Sequence, residues 1–462
     1  MTICVRAILV EQTERTRQSS KADIQRFIEE SEQKIISFES QIRTLIEMRD
    51  HERARADALR HIMSPIRTLP TELLVEIFWL SIDDETYIED AHRISQICSH
   101  WREITHGSPR LWTGPIRVDL SNRLRDGQEL YADGLEAWLS RSAPLPVPIL
   151  LKLDGEDTCH RILDNVLSIS PRIQSLHCEN FFPLSILSRL AECRLDSLEE
   201  LNLGMADNYP TPPAFTMLSV PWGQLTDITL DSDSPDIILN ILAQCTSLKQ
   251  ISICTSGWPS TTPAKFTQRS LALSQLHTLS LDFGFPEHVM HLLGPLSAPA
   301  LETLHLNFLQ IQGSMQSQLP VSLAAFLMRS PDITRLEIRC GLQGLTSHQL
   351  TATLKHTPRL THLGLTCASL NDRFVDALSY KVDGVAPLVP RLHNLFLERI
   401  YEDGLGDLER MFVSRWWGDA DQSHSHAVAR WSHVEVWGKY SEPFMESMQA
   451  LQQKGLPLAL IV

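Results

Sequence analysis

Residues 276–281 read LHTLSL, and residues 301–306 read LETLHL. Both stretches follow one pattern: an apolar residue, two variable residues, a second apolar residue, one variable residue and a third apolar residue. The last three positions alternate as they do in a β-strand that buries one face. The pattern recurs along the chain, and it decides the fold that we expect.

Further copies of this pattern precede and follow the first two. They are LEELNL from Leu198, LTDITL from Leu225, LKQISI from Leu248, ITRLEI from Ile333, LTHLGL from Leu360 and LHNLFL from Leu392, with weaker copies at Ile173 (IQSLHC) and Trp431 (WSHVEV). From Ile173 to Leu392 the starts are 23 to 32 residues apart. A leucine-rich repeat has about 20–29 residues, so most of the spacings fit and two contain insertions.

Helix-forming segments such as PDIILNILAQ (residues 235–244, with the preceding Ser234 as cap) lie between the copies. One strand and one helix per repeat predict an α/β fold, an irregular leucine-rich-repeat solenoid with a concave parallel sheet and convex helices. A doubly wound α/β domain also alternates strands with helices. We favour the solenoid, because long apolar strands and a Gly-rich phosphate turn are missing from the sequence.

Solenoids of this kind bind partners on the concave sheet. The variable positions of the pattern therefore predict a substrate-binding face that is polar and slightly acidic. Its residues are Glu200, Asn202, Asp227, Thr229, Lys249, His277, Glu302, His305, Arg335, Glu337, His362 and His393. The histidines of this face have no fixed ligand spacing, so we expect no metal site and no cofactor.

A long charged helix is predicted ahead of the repeats, because residues 21–63 contain no Gly or Pro. Steps of four and three residues connect Ile24, Ile28, Ser31, Ile35, Phe38, Ile42, Leu45, Arg49, Glu52, Ala56, Leu59 and Met63. This is the heptad seam of a coiled coil, interrupted at Arg49 and Glu52. It predicts self-association or a helical partner through residues 24–63, although a single amphipathic helix lying on the rest of the protein fits the same pattern.

Two short apolar segments follow this helix. After Pro65 and Pro70, TELLVEIFWL has the spacing of a short helix, and AHRISQICSHWREIT forms a second amphipathic segment before SPRLW. A helix of about ten residues is too short to be stable without packing.

The span from Ser64 to Trp112 resembles an F-box, a small three-helix motif that docks on a Skp-type adaptor. The matching pieces are Leu69-Pro70, Glu72-Leu73-Leu74, Ile77-Phe78, Ile97-Cys98, Trp101-Arg102 and Pro109-Arg110-Leu111-Trp112. The order of heptad helix, F-box and leucine-rich body is similar to a large group of fungal F-box proteins. The resemblance implies that adaptor binding uses Leu69, Pro70, Leu73, Leu74, Ile77, Phe78, Ile97 and Trp101. We expect a motif this small to leave Leu69, Pro70, Leu74, Ile77 and Phe78 exposed for a partner; the alternatives are that these five cap the leucine-rich body and that Trp101 is internal core.

Composition narrows the class of protein further. The net charge of -15 and the absence of a basic run argue against a nucleic-acid partner. Nine scattered cysteines without a Cys-x-x-Cys pair, and the lack of a signal or a membrane-length apolar segment, predict a protein of the cytoplasm or the nucleus. No catalytic motif is present, and the cluster around His424, His426 and His433 is read as a solvated loop.

The sequence therefore predicts a flexible terminus (1–20), a coiled-coil helix (21–63), an F-box (64–112), a linker leading into the solenoid (113–147), the solenoid (148–440) and a cap (441–462). As the resemblance implies, we expect the non-catalytic substrate-recognition subunit of a Skp–cullin–F-box ubiquitin ligase that directs an unknown target protein to degradation. The alternative is a coiled-coil and repeat scaffold, or an adaptor-binding protein outside a ligase.

Overall fold

The computed structural model describes residues 5–16, 21–83, 86–120, 127–152, 160–179, 184–203, 220–231, 235–255, 270–284, 286–308, 319–340, 345–366, 370–381, 387–399, 405–416, 428–438 and 440–461. The chain divides into two compact units, Met1–Leu80 and Ser81–Val462.

The N-terminal unit is helical. Its helices are α1 (Val5–Thr16), α2 (Lys21–Ile62), a 3-10 turn at Pro65–Thr68 and α3 (Thr71–Ser81). The long helix that the heptad pattern predicts is therefore confirmed, and it ends just before Pro65, which lacks an amide donor. Residues Val5–Thr16 are helical, while the expected flexibility of the terminus stays a prediction. Within the described residues, no helix combines the length and the apolar composition that crossing a membrane requires.

The C-terminal unit begins with two short helices and continues into alternating strands and helices. The first elements are α4 (Tyr87–Gln96), α5 (Ser99–His106) and a 3-10 turn at Pro109–Trp112. The strands are β1 (Ile116–Asp119), β2 (Val147–Lys152), β3 (Ile173–Glu179), β4 (Glu200–Leu203), β5 (Asp227–Asp231), β6 (Gln250–Thr255), β7 (Leu271–Ala272), β8 (Thr278–Phe283), β9 (Leu296–Ser297), β10 (Thr303–Phe308), β11 (Arg335–Cys340), β12 (His362–Thr366), β13 (Asn394–Glu398), β14 (His433–Trp437) and β15 (Leu458–Ile461). The helices among them are α6 (Gln128–Arg141), α7 (His160–Ser168), α8 (Leu184–Ala191), α9 (Pro235–Leu242), α10 (Pro286–Leu293), α11 (Leu319–Met328), α12 (Ser347–Leu354), α13 (Asp372–Leu378), α14 (Leu405–Ser414) and α15 (Glu442–Gln453).

The main sheet has thirteen parallel strands that stand in chain order, and β7 and β9 form a separate small pair. A doubly wound sheet reverses its strand order at a switch point, whereas this sheet runs in one direction from β1 to β15. The strand order therefore identifies the fold as a repeat solenoid rather than a doubly wound domain.

The leucines of the repeat pattern form continuous buried rows. In β8, β10 and β11 the aligned residues Leu279, Leu304 and Leu336 are buried, and every intervening position is more exposed. Helices cover this buried face. Packed helices need about 8–10 Å each, while neighbouring strands are about 4.8 Å apart, so the helix layer is the wider one and the sheet lies on the inner, concave side.

The sheet extends beyond the copies that the pattern identifies. Strands β1 and β2 add two repeats in front of Ile173, and β1 lies in the segment predicted as a linker. At the other end β15, from the predicted closing segment GLPLALIV, pairs with β14 as the last strand.

Arginines connect neighbouring repeats by donating to main-chain carbonyls in or just after the last turn of a helix. Arg172 donates to Leu139 O (3.2 Å) and Leu145 O (3.0 Å). Arg329 donates to Leu293 O (2.6 Å) and Leu296 O (3.2 Å) at the end of α10. Because the last carbonyls of a helix have no partner within the helix, a cationic fork is favourable there.

Arg415 makes the most buried of these connections among the described residues. Its side chain is fully buried beside Trp431 and donates to Val389 O (3.1 and 3.2 Å) and Leu392 O (3.1 Å). Desolvation lowers the pKa of this guanidinium to about 10. It therefore stays charged at neutral pH and joins the end of α14 to the segment just before β13.

We expect Arg415→Met to lower the free energy of unfolding by about 3 kcal/mol, because two buried carbonyls lose a charged donor. Arg415→Lys recovers less than half of this loss, since one ammonium cannot reproduce the planar fork. Urea denaturation followed by tryptophan fluorescence measures both.

The matched control is Arg359→Met, which removes an exposed ion pair with Asp332; we expect a change within about 0.5 kcal/mol. Equal effects of Arg415→Met and Arg359→Met would contradict a structural role for the buried fork.

Candidate functional site

The open face of the sheet, which is the face without helices, consists of the third and fifth positions of the repeat pattern. One row runs across it through His177, Asn202, Thr229, Ser252, Ser280, His305, Glu337, Gly364, Phe396 and Glu435. A second row contains Glu200, Asp227, Gln250, Thr278, Thr303, Arg335, His362, Asn394 and His433. These rows bring together eight of the twelve predicted face residues.

The other four predicted residues lie elsewhere. Lys249, His277, Glu302 and His393 each precede the first residue of a strand. Their backbone amides donate to the previous repeat, as in the 2.8 Å bond from His277 N to Lys249 O. They form a rim at the amino end of the strands, because strand alternation gives only every second residue to the open face.

A cleft of about 450 Å³ lies on the open face across β11 to β14. Its lining consists of Arg335, Glu337, Arg339, His362, Leu363, Gly364, Asn394, Leu395, Phe396, His433 and Glu435. Of the predicted face, Arg335, Glu337 and His362 line the cleft, and His305 contacts it through Glu337. Glu200, Asn202, Asp227 and Thr229 lie on the same face in β4 and β5, outside this lining.

Gly364 accounts for the depth of the cleft. It lies in the first row of the open face, between Glu337 of β11 and Phe396 of β13. A Cβ atom at this position would lie 3.0 Å from Glu337 Cγ. The missing side chain thus leaves room for Glu337 and opens the floor between two larger neighbours.

Glu337 is the centre of the charges in the cleft. Arg335 donates to its Oε1 from Nε (2.9 Å) and Nη2 (2.8 Å), His305 Nδ1 lies 3.0 Å from Oε2, and Arg339 Nη2 lies 3.7 Å from the same oxygen. The hydrogen bond with His305, followed by those with Arg335, lowers the pKa of Glu337 to about 2 although burial opposes this shift. The carboxylate is therefore ionised at neutral pH and holds three basic side chains around it.

His362 is held on two sides. Its Nδ1 lies 2.8 Å from Thr361 Oγ1, and its Nε2 contacts the side-chain amide of Asn394. Burial, with the nearby His393 and Arg335, lowers the pKa of His362. At neutral pH it is thus a neutral hydrogen-bonding group in the wall of the cleft.

Residue types alone did not identify Arg339, Gly364, Asn394, His433 and Glu435 as part of one cleft. The signal that could have found them is the alignment of consecutive repeats, which places the third and fifth positions of neighbouring strands side by side. Of the three histidines expected in a solvated loop, His424 and His426 lie outside the described residues, whereas His433 is the first residue of β14. No group of three potential metal ligands occurs in the described part of the chain.

In the N-terminal unit, α3 has one exposed apolar stripe. Leu73, Ile77 and Leu80 recur at i, i+4 and i+7 and are exposed, Leu80 by 81 %. Leu69 is half-buried and Pro70 is exposed. The sequence analysis did not single out Leu80, although its spacing of seven residues from Leu73 places both on one face of a helix.

Two residues predicted to contact an adaptor are buried instead. Leu74 is 0 % and Phe78 is 1 % exposed. They lie four residues apart on the side of α3 that is turned away from solvent, so the expectation that they form an exposed surface is wrong. Burial of this side leaves Leu73, Ile77 and Leu80 as the exposed apolar stripe of α3.

The predicted adaptor residues of the C-terminal unit differ in exposure. Ile97, at the end of α4, is 57 % exposed, whereas Trp101 in α5 is half-buried. Cys98 caps α5 by accepting a hydrogen bond from the Trp101 amide at 3.4 Å. Ile97 is therefore the more accessible of the two.

Trp112 joins these short helices to the first helix of the repeats. Its Nε1 donates to Thr105 O at 2.7 Å, and its ring packs edge-on against Trp138 of α6 at 4.7 Å. The Tyr87 hydroxyl donates to Arg110 O at 3.1 Å, and a Cβ atom on Gly114 would lie 2.3 Å from the Tyr87 ring. The closing segment PRLW is thus a packed core element.

Comparison with known proteins gives one sequence match. Residues 66–117 match the F-box-like family. The match begins two residues after the start of the predicted F-box span (64–112) and ends five residues beyond it. No curated protein matches the chain.

Among solved structures, the chain is similar to one in the crystal structure of the yeast Rad7 and Elc1 complex, with 14 % identity, a TM-score of 0.38 and coverage of 89 % of this chain and 97 % of that chain. It is also similar to one in the crystal structure of the TLR13–ssRNA13 complex, with 13 % identity, a TM-score of 0.35 and coverage of 77 % and 52 %.

We expect Glu337→Gln to lower the free energy of unfolding by about 2 kcal/mol at pH 7, because three basic groups lose their carboxylate. The pKa of Glu337 is lowered on folding, so its stabilisation is complete above the ordinary value of 4.5 and is lost as the pH falls toward about 2. Urea denaturation between pH 7 and pH 3 measures the difference between the wild type and the variant, which shrinks with acid.

Glu302→Gln on the exposed rim is the control, with a difference within about 0.5 kcal/mol. A wild-type advantage over Glu337→Gln that stayed constant down to pH 3 would show that the ionised carboxylate does not stabilise the cleft.

Proposed function

We propose that this protein is the substrate-recognition subunit of a Skp–cullin–F-box ubiquitin ligase. The observation that carries the proposal is the F-box-like match over residues 66–117 together with the exposed stripe Leu73, Ile77 and Leu80 on α3. A contiguous apolar stripe on an exposed helix is unfavourable in water and is typical of a protein–protein contact. A Skp-type adaptor covers this stripe, with Leu69 and Pro70 at its start.

The target protein binds the open face of the repeats. The cleft across β11 to β14 supports this role because it combines the aromatic ring of Phe396 with fixed polar groups around Glu337. Its volume of about 450 Å³ fits a few side chains of a peptide segment. The internal hydrogen bonds of Glu337 and His362 hold these groups in place, so binding costs little ordering entropy.

The protein itself performs no bond chemistry in this proposal. It raises the local concentration of a bound target beside the conjugating enzyme that the cullin complex carries. The scattered cysteines support the cytoplasm or the nucleus as the compartment in which this takes place.

A scaffold outside a ligase is the second candidate, and the exposed apolar side chains of α2 favour it. In that case the chain binds its partners without recruiting a cullin, and a bound partner keeps its normal lifetime.

We expect the full chain to bind a Skp-type adaptor and Leu73→Asp/Ile77→Asp to weaken this binding at least a hundredfold, because two carboxylates would be desolvated in an apolar contact. Titration calorimetry with purified adaptor measures the affinity. Val321→Asp is the control, since Val321 is an exposed apolar side chain on α11 of the repeats.

Unchanged affinity of the double variant, with the helical circular dichroism of the wild type, would refute the contact through α3. No binding by the wild-type chain would refute the ligase assignment itself.

A target that depends on the cleft should be stabilised in cells by either of two changes. Leu73→Asp/Ile77→Asp removes the adaptor, and Arg339→Glu/Phe396→Asp changes the charge and the apolar floor of the cleft. Pulse-chase proteomics identifies proteins whose half-life lengthens with both variants. Asp227→Arg, on the open face at β5, is the control and leaves these half-lives unchanged. If no protein responded to both variants, the cleft would not be the site of target recognition.

A further inference from the structure

The helix α2 presents its heptad seam to solvent. Seven large apolar side chains of the seam within α2 are 40 % to 62 % exposed: Ile24, Ile28, Ile35, Phe38, Ile42, Leu45 and Leu59. Burial of apolar surface contributes about 25 cal/mol per Å². A seam of this length along a 42-residue helix is therefore a strong drive for association with another helix.

The residue types of the seam favour two parallel strands. Ile28, Ile35 and Ile42 fall at the a positions of the heptad, and Ile24, Ser31, Phe38 and Leu45 fall at d positions. β-branched residues at a with Leu at d are typical of parallel dimers. The a positions, with Leu45 at d, therefore favour two strands.

The two charged residues in the seam select the alignment. In the single chain Arg49 forms an ion pair with Asp50 (2.7 Å), and Glu52 lies 3.8 Å from Arg55, with all four side chains exposed. Such exposed pairs contribute little, so both side chains are available for other partners. In a parallel dimer in register, the a layer of Arg49 adjoins the d layer of Glu52, and each arginine reaches the glutamate of the other chain.

Antiparallel alignments do not satisfy these charges. With full overlap of residues 24–63, Arg49 faces Phe38 and Glu52 faces Ile35, which leaves two charges unpaired against apolar side chains. An antiparallel alignment that pairs Arg49 with Glu52 leaves Ile28 and Ile35 beyond the end of the partner helix at Ile62.

Of the two fully charged pairs that flank the seam, one favours the parallel arrangement, and the other, Arg55 at g with Arg60 at the following e, has like charges. Lys34 is at a g position, and Glu39 is at the e position of the following heptad. These two positions face each other across a parallel dimer and carry opposite charges.

We propose that α2 forms a parallel, in-register, two-stranded coiled coil with the α2 of a second copy of this chain, in which Arg49 pairs with Glu52 of the partner subunit. The dimer contains two F-box-like segments and two open faces. A target with two binding segments, or a target that is itself dimeric, is then held by both copies, and its effective affinity exceeds that of a single cleft.

Analytical ultracentrifugation of the full 52.3 kDa chain tests this. We expect a wild-type dimer, and at least tenfold weaker dimers for Arg49→Glu and for Glu52→Arg, because each places like charges in adjacent layers. An equimolar mixture of the two variants regains the wild-type affinity within a few fold, since opposite charges then meet across the interface.

Arg43→Glu and Glu47→Arg are the matched controls, because they make the same charge changes at the outer b and f positions and leave the dimer unchanged. A monomeric wild type at 50 µM, about the upper range for a specific weak dimer, would overturn the proposal. So would a mixture no tighter than its components, since Arg49 would then interact only within its own chain or in an antiparallel pair. Helical circular dichroism of each variant verifies that the chain remains folded.

Discussion

Each strand-and-helix unit of this protein can bury its leucines only against its neighbours. Leu279, Leu304 and Leu336 belong to successive repeats and lie side by side in one buried row. Burial of a leucine side chain stabilises a fold by about 1.5–3 kcal/mol, and no single repeat has a core of its own in which to achieve it. The parallel ladder, the wider helix layer and the concave open face follow from this constraint. Arginines then connect neighbouring repeats through main-chain carbonyls, as Arg415 does with Val389 O and Leu392 O.

The fold could be predicted from the sequence wherever the repeat is strict. The copies from Ile173 to Trp431 all contain strands, and their buried positions are aligned. Strand β1 was missed, and β2 fell in the predicted solenoid without being identified as a copy, because IRVD and VPILLK show only the alternation and lack the preceding apolar residue of the pattern. The connections through Arg172, Arg329 and Arg415 were missed as well, since a lone arginine in a sequence does not indicate which carbonyls it will reach.

The candidate site was predictable as a face but not as a cleft. The variable positions correctly placed Arg335, Glu337 and His362 on the open face, whereas Lys249, His277, Glu302 and His393 belong to its rim. Gly364 decides where the cleft opens, and its effect depends on the two strands beside it. Likewise, Leu74 and Phe78 have the composition of a contact surface, but the helix phase turns them inward and leaves Leu73, Ile77 and Leu80 outside.

The division of labour proposed for the chain rests on its recruitment of a cullin through an adaptor. The most direct measurement is size-exclusion chromatography with light scattering on the purified full chain, a Skp-type adaptor and a cullin. We expect one complex that contains all three proteins, and no association of the chain with the cullin when the adaptor is left out. A stable complex of chain and adaptor that excludes the cullin would contradict the ligase function and identify the protein as a scaffold.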